Sequence, residues 1–327
     1  MANKVKQIKW GIIGLGKIAH KFAQDLNTIS NCELYAVASR SQMKADEFAT
    51  KFQAKKAYNS YSDLAEDPEI NAVYIATPHA FHKEHSLLCL NKGIAVLCEK
   101  PFAMNLEEVS EMISVAKAEK VLLMEALWTA FLPHFQHSLK ILKEKTLGDI
   151  TSLEADFGFS RPFDDNSRLF KKSLGGGSLL DIGIYPIFAT LSILGSPHHI
   201  EAQATFFENG ADASCTVTFH YKNGLTAHLK STLLEETPTE AHIHCEHGTL
   251  LLNKRFHEPT SITTLLNSTT NTLDFPTQTF GYNYEIEHFN QLLRDGKTES
   301  DIMTFKISEQ LIRTLDDVRK VINLKYD

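Results

Sequence analysis

The sequence predicts a two-domain α/β protein: a doubly wound parallel sheet covered by helices over residues 1–125, then an α+β domain over residues 126–327 with a large, mainly antiparallel open sheet. Three observations carry this. Short, uniformly apolar runs alternate with amphipathic stretches through the first half. After about Glu125 strand-like segments outnumber helical ones and switch to strict in–out alternation. The length, 327 residues at 43% hydrophobic and 22% charged, suits two cores better than one.

Along the chain, "IKWGIIG" is an apolar run ending in glycine, followed by an amphipathic stretch from Lys17 to about Ile29. "ELYAVAS" reads as the next strand and "QMKADEFATKF" as the next helix, which completes a βαβ unit. "NAVYIAT", a helix from about Ala80 to Asn91, "IAVLCEK", a helix from about Leu106 to Lys117, and "KVLLMEA" continue the rhythm. In "TSLEADFGF", Leu153, Ala155, Phe157 and Phe159 share one face while Ser152, Glu154 and Asp156 share the other. "HIEAQATFF", "CTVTFHY" and "LTAHLKSTL" repeat that pattern, as a sheet packed on one face requires. The other face, rich in Thr, His and Ser, is either solvated or the contact face of a homodimer. "EAHIHCEHG" alternates like a strand, and His242, His244 and His247 read as surface decoration. "YNYEIEHF" puts Tyr282, Tyr284 and His288 at a helix start, where they either close a pocket or pack the two domains together.

Composition excludes several classes of function. A net charge of −7 with no useful Lys/Arg run argues against a nucleic-acid surface. Five cysteines (Cys32, Cys89, Cys98, Cys215, Cys245), odd in number and never Cys-x-x-Cys, read as reduced and mostly buried thiols, not as a disulfide framework or zinc knuckle. "MANKVKQIKWGIIG" has no apolar stretch of signal-peptide length, and no window approaches the roughly 18 continuous apolar residues of a membrane span. A cytoplasmic protein with no membrane partner is expected, and no repeat or low-complexity tract interrupts it.

The first motif with chemistry is "GIIGLGKIA". Gly14, Gly16 and Ala19 lie between a strand and a helix, where G-x-G-x-x-G/A lets the backbone approach a pyrophosphate and seats that anion on the helix N-terminus of a Rossmann-type domain. Lys17, just inside the helix, is either a phosphate ligand or a solvated side chain. About 20 residues on, an acid would bind the ribose of NAD, whereas an arginine accommodates the phosphate of NADP. Here the strand ends "AVASRS": Arg40 forks onto a phosphate, Ser39 and Ser41 donate hydrogen bonds, and Lys44 follows one turn later. NADP(H) is therefore preferred, with NAD(H) a second possibility; the alternative is that Arg40 stacks on the adenine or caps a helix. Thr77 and His79, just past the next strand, are also assigned to the cofactor.

In "LCEKPFAMN", Glu99 and Lys100 end a strand of the parallel sheet, where open α/β folds bind ligands, and Pro101 keeps Lys100 extended. Lys100 can there give or take a proton or hold a substrate hydroxyl, although "EKP" alone also fits a surface turn. In "LGGGSLLDIGIYP", Gly175, Gly176 and Gly177 allow close backbone packing. The helix that follows carries Asp181 and Tyr185 at i and i+4, on one face, either as a site or as an ordinary exposed edge. Trp128 and Phe131 of "ALWTAFLP", with Phe157, either wall a substrate pocket or fill the core. His79, His82 and His85 recur every three residues, yet lack the acid–histidine pattern of catalytic zinc, so no metal is expected.

"GIIGLGKIA", "CEKP" and "GGGSLLDIGIYP", in this order and over nearly the whole chain, resemble the glucose-fructose oxidoreductase / inositol dehydrogenase (Gfo/Idh/MocA) family of NAD(P)-dependent oxidoreductases. "VLLMEALWTAFLP" and the tyrosine of "DIGIYP" resemble most its dimeric dihydrodiol dehydrogenase and NADP-dependent D-xylose dehydrogenase branch. Most of the family has histidine where Tyr185 stands; this branch has tyrosine. It has arginine where Ala130 stands, a departure that bears on substrate more than on reaction type. The resemblance implies Gly14, Gly16 and Ala19 for the dinucleotide, Arg40 for the NADP phosphate, and Glu99 and Lys100 at the nicotinamide end. It implies Lys100 and Tyr185 as the catalytic pair, with Tyr185 the general acid/base beside the Lys100 ammonium. Asp181 would orient a neighbouring substrate hydroxyl or hold Lys100. It further implies a cis Lys100–Pro101 bond and a homodimer through the C-terminal sheet. The expected function is hydride transfer between NADP(H) and a hydroxyl or carbonyl carbon of a sugar or cyclic diol. The alternatives are a keto-sugar reductase with the same mechanism, and a catalytically silent NAD(P)-binding sensor, which would have no need of Lys100 and Tyr185 together.

Overall fold

Strands apolar at every position bury both faces, which a parallel sheet between helical layers provides. In the computed structural model, which describes residues 7–326, six strands form one such sheet, mostly apolar except for the short third strand. Residues 1–6, part of the N-terminal stretch read above, lie outside the described residues. β1 (Ile8–Ile13), β2 (Cys32–Ala38), β3 (Lys56–Tyr58), β4 (Ala72–Ile75), β5 (Ala95–Glu99) and β6 (Leu123–Ala126) pair in parallel in the order β3-β2-β1-β4-β5-β6. α1 (Lys17–Leu26), α2 (Gln42–Phe52), α3 (Tyr61–Ala65), α4 (His82–Leu90) and α5 (Leu106–Glu119) make the crossovers. The order reverses between β1 and β4, the switch point at whose carboxyl edge such sheets bind ligands. Ile8, Trp10, Ile12, Ile13, Val73 and Ile75 are fully buried, and Phe22 of α1 stacks on Tyr74 of β4 at 3.6 Å between ring centroids.

The second sheet is built from alternating strands. After α6 (Pro133–Lys143) come β7 (Ile150–Gly158), α7 (Ile184–Leu194), β8 (His199–Phe206), β9 (Asp212–His220), β10 (Thr226–Thr232), β11 (Ala241–Cys245), β12 (Gly248–Leu252), β13 (Ile262–Leu266) and β14 (Thr269–Leu273). Their order is β14-β13-β12-β11-β7-β10-β9-β8, antiparallel throughout except for the parallel pair β7–β10. In β7, Leu153, Ala155 and Phe157 are buried and Glu154 is exposed, as the period-two pattern requires. A π-helical turn (Leu179–Gly183) leads into α7, and both pack on this sheet. Lys172–Leu194 has a mean hydropathy of 1.6 over an 18-residue window, enough by length and composition to cross a membrane. The sequence reading found no such window because Gly, Ser, Asp and Tyr interrupt the apolar run. As 78% of that window is buried inside the structure, this is also how the core helix of a soluble domain behaves.

α8 (Tyr282–Arg294) and α9 (Phe305–Val321) complete the described elements. The Asp25 carboxylate at the end of α1 accepts the N–H groups of Phe280 (3.0 Å) and Tyr282 (2.8 Å), and Trp10 Nε1 donates to Asn290 Oδ1 at 3.0 Å. These bonds tie α8 to the first sheet. Two compact units result: the chain up to Trp128 with Gln278–Glu309, and Thr129–Thr277 with the chain from Gln310 onward. The division at 125/126 thus differs in two respects: the first unit runs on to Trp128, and it recovers 278–309, which the sequence reading gave to the second domain. Asp25 and Trp10 near one end of the chain bind residues near the other, a link that no local pattern carries. All five cysteines are unbridged, with Cys89, Cys98 and Cys215 buried.

Candidate active site

In the first unit the glycine turn follows β1. Gly14 has φ +93°, and a Cβ there would lie 2.7 Å from the Ala76 and Thr77 backbone, so only glycine lets the turn pass the end of β4. Around Gly16 a Cβ would meet nothing within 4 Å, and Gly16 caps α1 with no side chain bonded to the helix N–H groups and no acid in the first turn. A bare, positively polarised helix start beside an open glycine fits a pyrophosphate. Ala19 is fully buried, whereas Lys17 is exposed.

At the end of β2, the Ser39 hydroxyl accepts the Ser41 N–H (3.3 Å), and Ser41 caps α2 by accepting the Lys44 N–H (3.4 Å). The capping role left open for Arg40 therefore belongs to Ser41. Arg40 and Lys44 are exposed, and the Arg40 charge acts on the Tyr61 phenol. Burial raises the Tyr61 phenol's pKa while Arg40 opposes it, and burial lowers the pKa of His85, to which Arg40 adds. Exposed cations flanked by hydroxyls at this position suit a ribose phosphate.

Thr77 and His79, both buried, follow β4. The Thr77 hydroxyl meets His85 Nδ1 at 3.0 Å. His82, fully buried, lies 2.8 Å from two backbone oxygens, that of Thr77 through Nε2 and that of Pro101 through Nδ1. His82 thus ties the ends of two strands together, and His85 holds Thr77 at one of them.

Glu99 and Lys100 close β5, and the Lys100–Pro101 bond is cis. The Glu99 carboxylate accepts the Tyr74 hydroxyl through Oε1 and the Lys100 N–H through Oε2 at 3.2 Å, which fixes the backbone that carries the lysine. Burial and then the Glu99 charge raise the Tyr74 pKa well above its ordinary value, so it donates as a phenol. Glu125 at the end of β6 accepts the Phe102 N–H at 3.1 Å; burial pushes its carboxyl up to about 7, against the pull of that N–H and of the Lys100 charge. Glu285 on α8 is fully buried with no hydrogen-bond partner for either oxygen among the described residues. Burial, with Glu99 and Asp25 adding, drives its pKa well upward. Trp128 stacks on Tyr282 at 4.4 Å, while Tyr284 and His288 lie further along α8.

In the second unit Asp181 sits on the π-helical turn and Tyr185 in the first turn of α7, so the expected regular helix is wider over Asp181. Arg168 forks onto Asp181 Oδ1 at 3.3 and 3.4 Å. Tyr185 lies 5.6 Å from the Phe157 ring and 5.0 Å from His257, whose ring is 4.2 Å from Phe157. Phe157 thus shares Tyr185's surroundings, while Phe131 is buried in a 3-10 turn that begins at Trp128. The triple glycine has a structural reason: Cβ atoms would meet backbone at 2.7 Å from Gly176 and Asp212 Oδ1 at 2.1 Å from Gly177. Asp212 in turn anchors the helix start, accepting the Leu179 N–H (2.6 Å) and the Ser178 hydroxyl (2.8 Å).

Sequence reasoning did not find Arg168, His257, Tyr74, Glu125 or Glu285. Of these only Glu125 left a local trace, as a lone carboxylate inside the apolar "VLLMEALW".

Residues 8–127 match the model of an oxidoreductase family with an NAD-binding Rossmann fold, and residues 135–251 match the GFO/IDH/MocA C-terminal domain. The chain is 35% identical to a trans-1,2-dihydrobenzene-1,2-diol dehydrogenase of Xenopus tropicalis, covering 97% of this chain and 99% of that protein. It is 34% identical to the scyllo-inositol 2-dehydrogenase (NADP(+)) IolU of Bacillus subtilis, with 98% of each covered. Among solved structures it is 25% identical to KijD10, a 3-ketoreductase from Actinomadura kijaniata in complex with NADP and TDP-benzene, with TM-score 0.88 and 97% and 98% of the chains covered. The aldose-aldose oxidoreductase of Caulobacter crescentus shares the fold, at TM-score 0.89 and 19% identity, again over 97% and 98% of the chains. With both family domains matched in chain order, and with relatives 35% and 34% identical over nearly their full length, the chain belongs to the GFO/IDH/MocA oxidoreductase family.

Proposed function

We propose that this chain is an NADP(H)-dependent dehydrogenase that moves a hydride between the nicotinamide and a hydroxyl- or carbonyl-bearing carbon of a sugar or cyclic diol. What supports it is the presence in one chain of two features a mere binding protein does not need. One is a lysine whose backbone is pinned by Glu99 at the carboxyl end of β5; the other is a tyrosine held against Phe157 and His257 at the start of α7. A trans-dihydrobenzenediol and scyllo-inositol, after which two relatives are named, are both six-membered rings with adjacent hydroxyls. That is the substrate class proposed here.

Gly14, Gly16, Ala19 and the start of α1 would hold the pyrophosphate, and Arg40 with Ser39 and Lys44 the ribose phosphate that distinguishes NADP from NAD. Thr77, His79 and Glu99 would flank the nicotinamide. The bound nicotinamide supplies or accepts the hydride. Tyr185 Oη takes the substrate hydroxyl's proton on oxidation and returns it on reduction. The Lys100 ammonium stabilises charge on that oxygen and favours the phenolate. Asp181, oriented by the Arg168 fork, accepts a hydrogen bond from the neighbouring hydroxyl. A homodimer through the polar face of the eight-stranded sheet is also proposed; a light-scattering mass equal to one chain contradicts it.

The test is NADPH formation at mildly alkaline pH with trans-dihydrodiols, inositols and aldoses, with NAD in parallel. Turnover of at least one ring diol, with kcat/KM at least tenfold higher with NADP, supports the reading. Tight NADP(H) binding without turnover of any alcohol or carbonyl replaces it with the sensor.

A further inference from the structure

One peptide group, Pro101–Phe102, is gripped on both sides by buried ionisable residues directly after Lys100. Its oxygen is 2.8 Å from His82 Nδ1, and its N–H donates to Glu125 Oε1 at 3.1 Å. The other ring nitrogen of His82, Nε2, is 2.8 Å from the Thr77 oxygen. At each ring nitrogen His82 meets a backbone carbonyl, which only accepts hydrogen bonds. A neutral imidazole has one N–H, so it would leave a nitrogen lone pair facing one of these carbonyl oxygens at hydrogen-bonding distance, where His82 has no solvent exposure. The imidazolium, with two N–H groups, satisfies both.

We propose that His82 is a fixed, buried imidazolium that straps Thr77 at the end of β4 to Pro101 and, with Glu125 across the peptide, positions Lys100. His82 is a positioning residue. It acts through the backbone of Lys100 and through Thr77, whose N–H lies beside Gly14 at the glycine turn. Two charge-assisted bonds and a carboxylate on the far side of one polarised peptide offset the burial of the cation. Ionisable groups on its own and the surrounding elements include His79, Lys83, Glu84 and His85 beside it, Tyr61 and Asp63 of α3, Cys98 and Glu99 of β5, Lys100, Glu107, Glu108 and Glu111 of α5, and Glu125 of β6. Glu125 is the carboxylate bonded to the clamped peptide. Only the catalytic consequence of the strap depends on the role given to Lys100 above.

The experiment is proton–nitrogen NMR of the full chain labelled at histidine nitrogen, without substrate, from pH 6 to 9. An ordinary histidine loses its charge near pH 6.5. Of the 15 histidines, one is expected to keep two ring N–H signals at pH 8.5, with through-space contacts to Thr77 and Phe102 that identify it in the native protein. His82→Gln should remove that signal, and Glu125→Gln, which keeps the ring, should lower the pH at which it is lost. In turnover, His82→Gln should lower kcat at least tenfold with KM for NADP changed less than threefold. A single ring N–H for His82 at pH 7.5 overturns the imidazolium, whatever the enzyme turns over. An intact imidazolium with unchanged kcat in His82→Gln overturns the positioning role.

Discussion

Gly14, Arg40 and Glu285 each make a separate demand on the chain. Gly14→Ala forces a Cβ into left-handed backbone and into the Ala76–Thr77 main chain at 2.7 Å. A loss of about 2–4 kcal/mol is expected in urea titration, with weaker NADP binding. Arg40→Ala should raise KM for NADP by about 10- to 100-fold, the worth of a charge-assisted bond to phosphate, and leave that for NAD nearly unchanged. Glu285 is a carboxyl whose folded pKa lies above its ordinary 4.5. The folded state therefore keeps a proton that the unfolded chain releases, and this group's contribution falls as pH rises above about 4.5. Glu285→Gln should accordingly gain stability relative to the native chain on going from pH 5 to pH 8, a comparison that urea midpoints give directly. Gly14, Arg40 and Lys100 were legible because each punctuates a strand end with a residue type that has few other uses there. His82, Glu125 and Glu285 were not, because their states are set by contacts with groups on other elements, distant in the sequence. The spacing of His79, His82 and His85 placed His82 on a helix but carried no sign of the two carbonyls that its ring meets.

The helix that carries Asp181 and Tyr185 is held at its start by one carboxylate. Asp212 takes both the Leu179 N–H and the Ser178 hydroxyl, and Gly177, at φ +125°, leaves room for it. Asp212→Ala strands buried donors, and Gly177→Ala drives a methyl to within 2.1 Å of Asp212 Oδ1. Each should cost about 2–4 kcal/mol and, on the role proposed for Tyr185, lower kcat, because the start of its helix shifts with Asp212. The triple glycine was visible in the sequence; its partner at the start of β9 was not. Strands followed the same logic. Five of the six parallel strands were readable as apolar runs, while β3, three residues long, offered too few positions for any period. β7 to β11 announced themselves by alternation, whereas β14, exposed at every position, had no apolar face to show.

Over the whole molecule, the sequence pattern separated a parallel α/β half from a sheet-rich half, and both sheets are present. The return of 278–309 to the first unit escaped it, because α8 is recruited by Asp25 and Trp10 from the far end of the chain. The catalytic proposal likewise draws on both units, with Lys100 in the first and Tyr185 in the second. The most direct measurement is therefore kcat for Tyr185→Phe and Lys100→Met on the best ring diol, beside the NADP dissociation constant of each variant. Loss of kcat by about 10²- to 10⁴-fold in both, with NADP affinity kept within threefold, is the result expected of a proton donor and its cation. Turnover within tenfold of the native enzyme in either variant contradicts the assignment of these two residues.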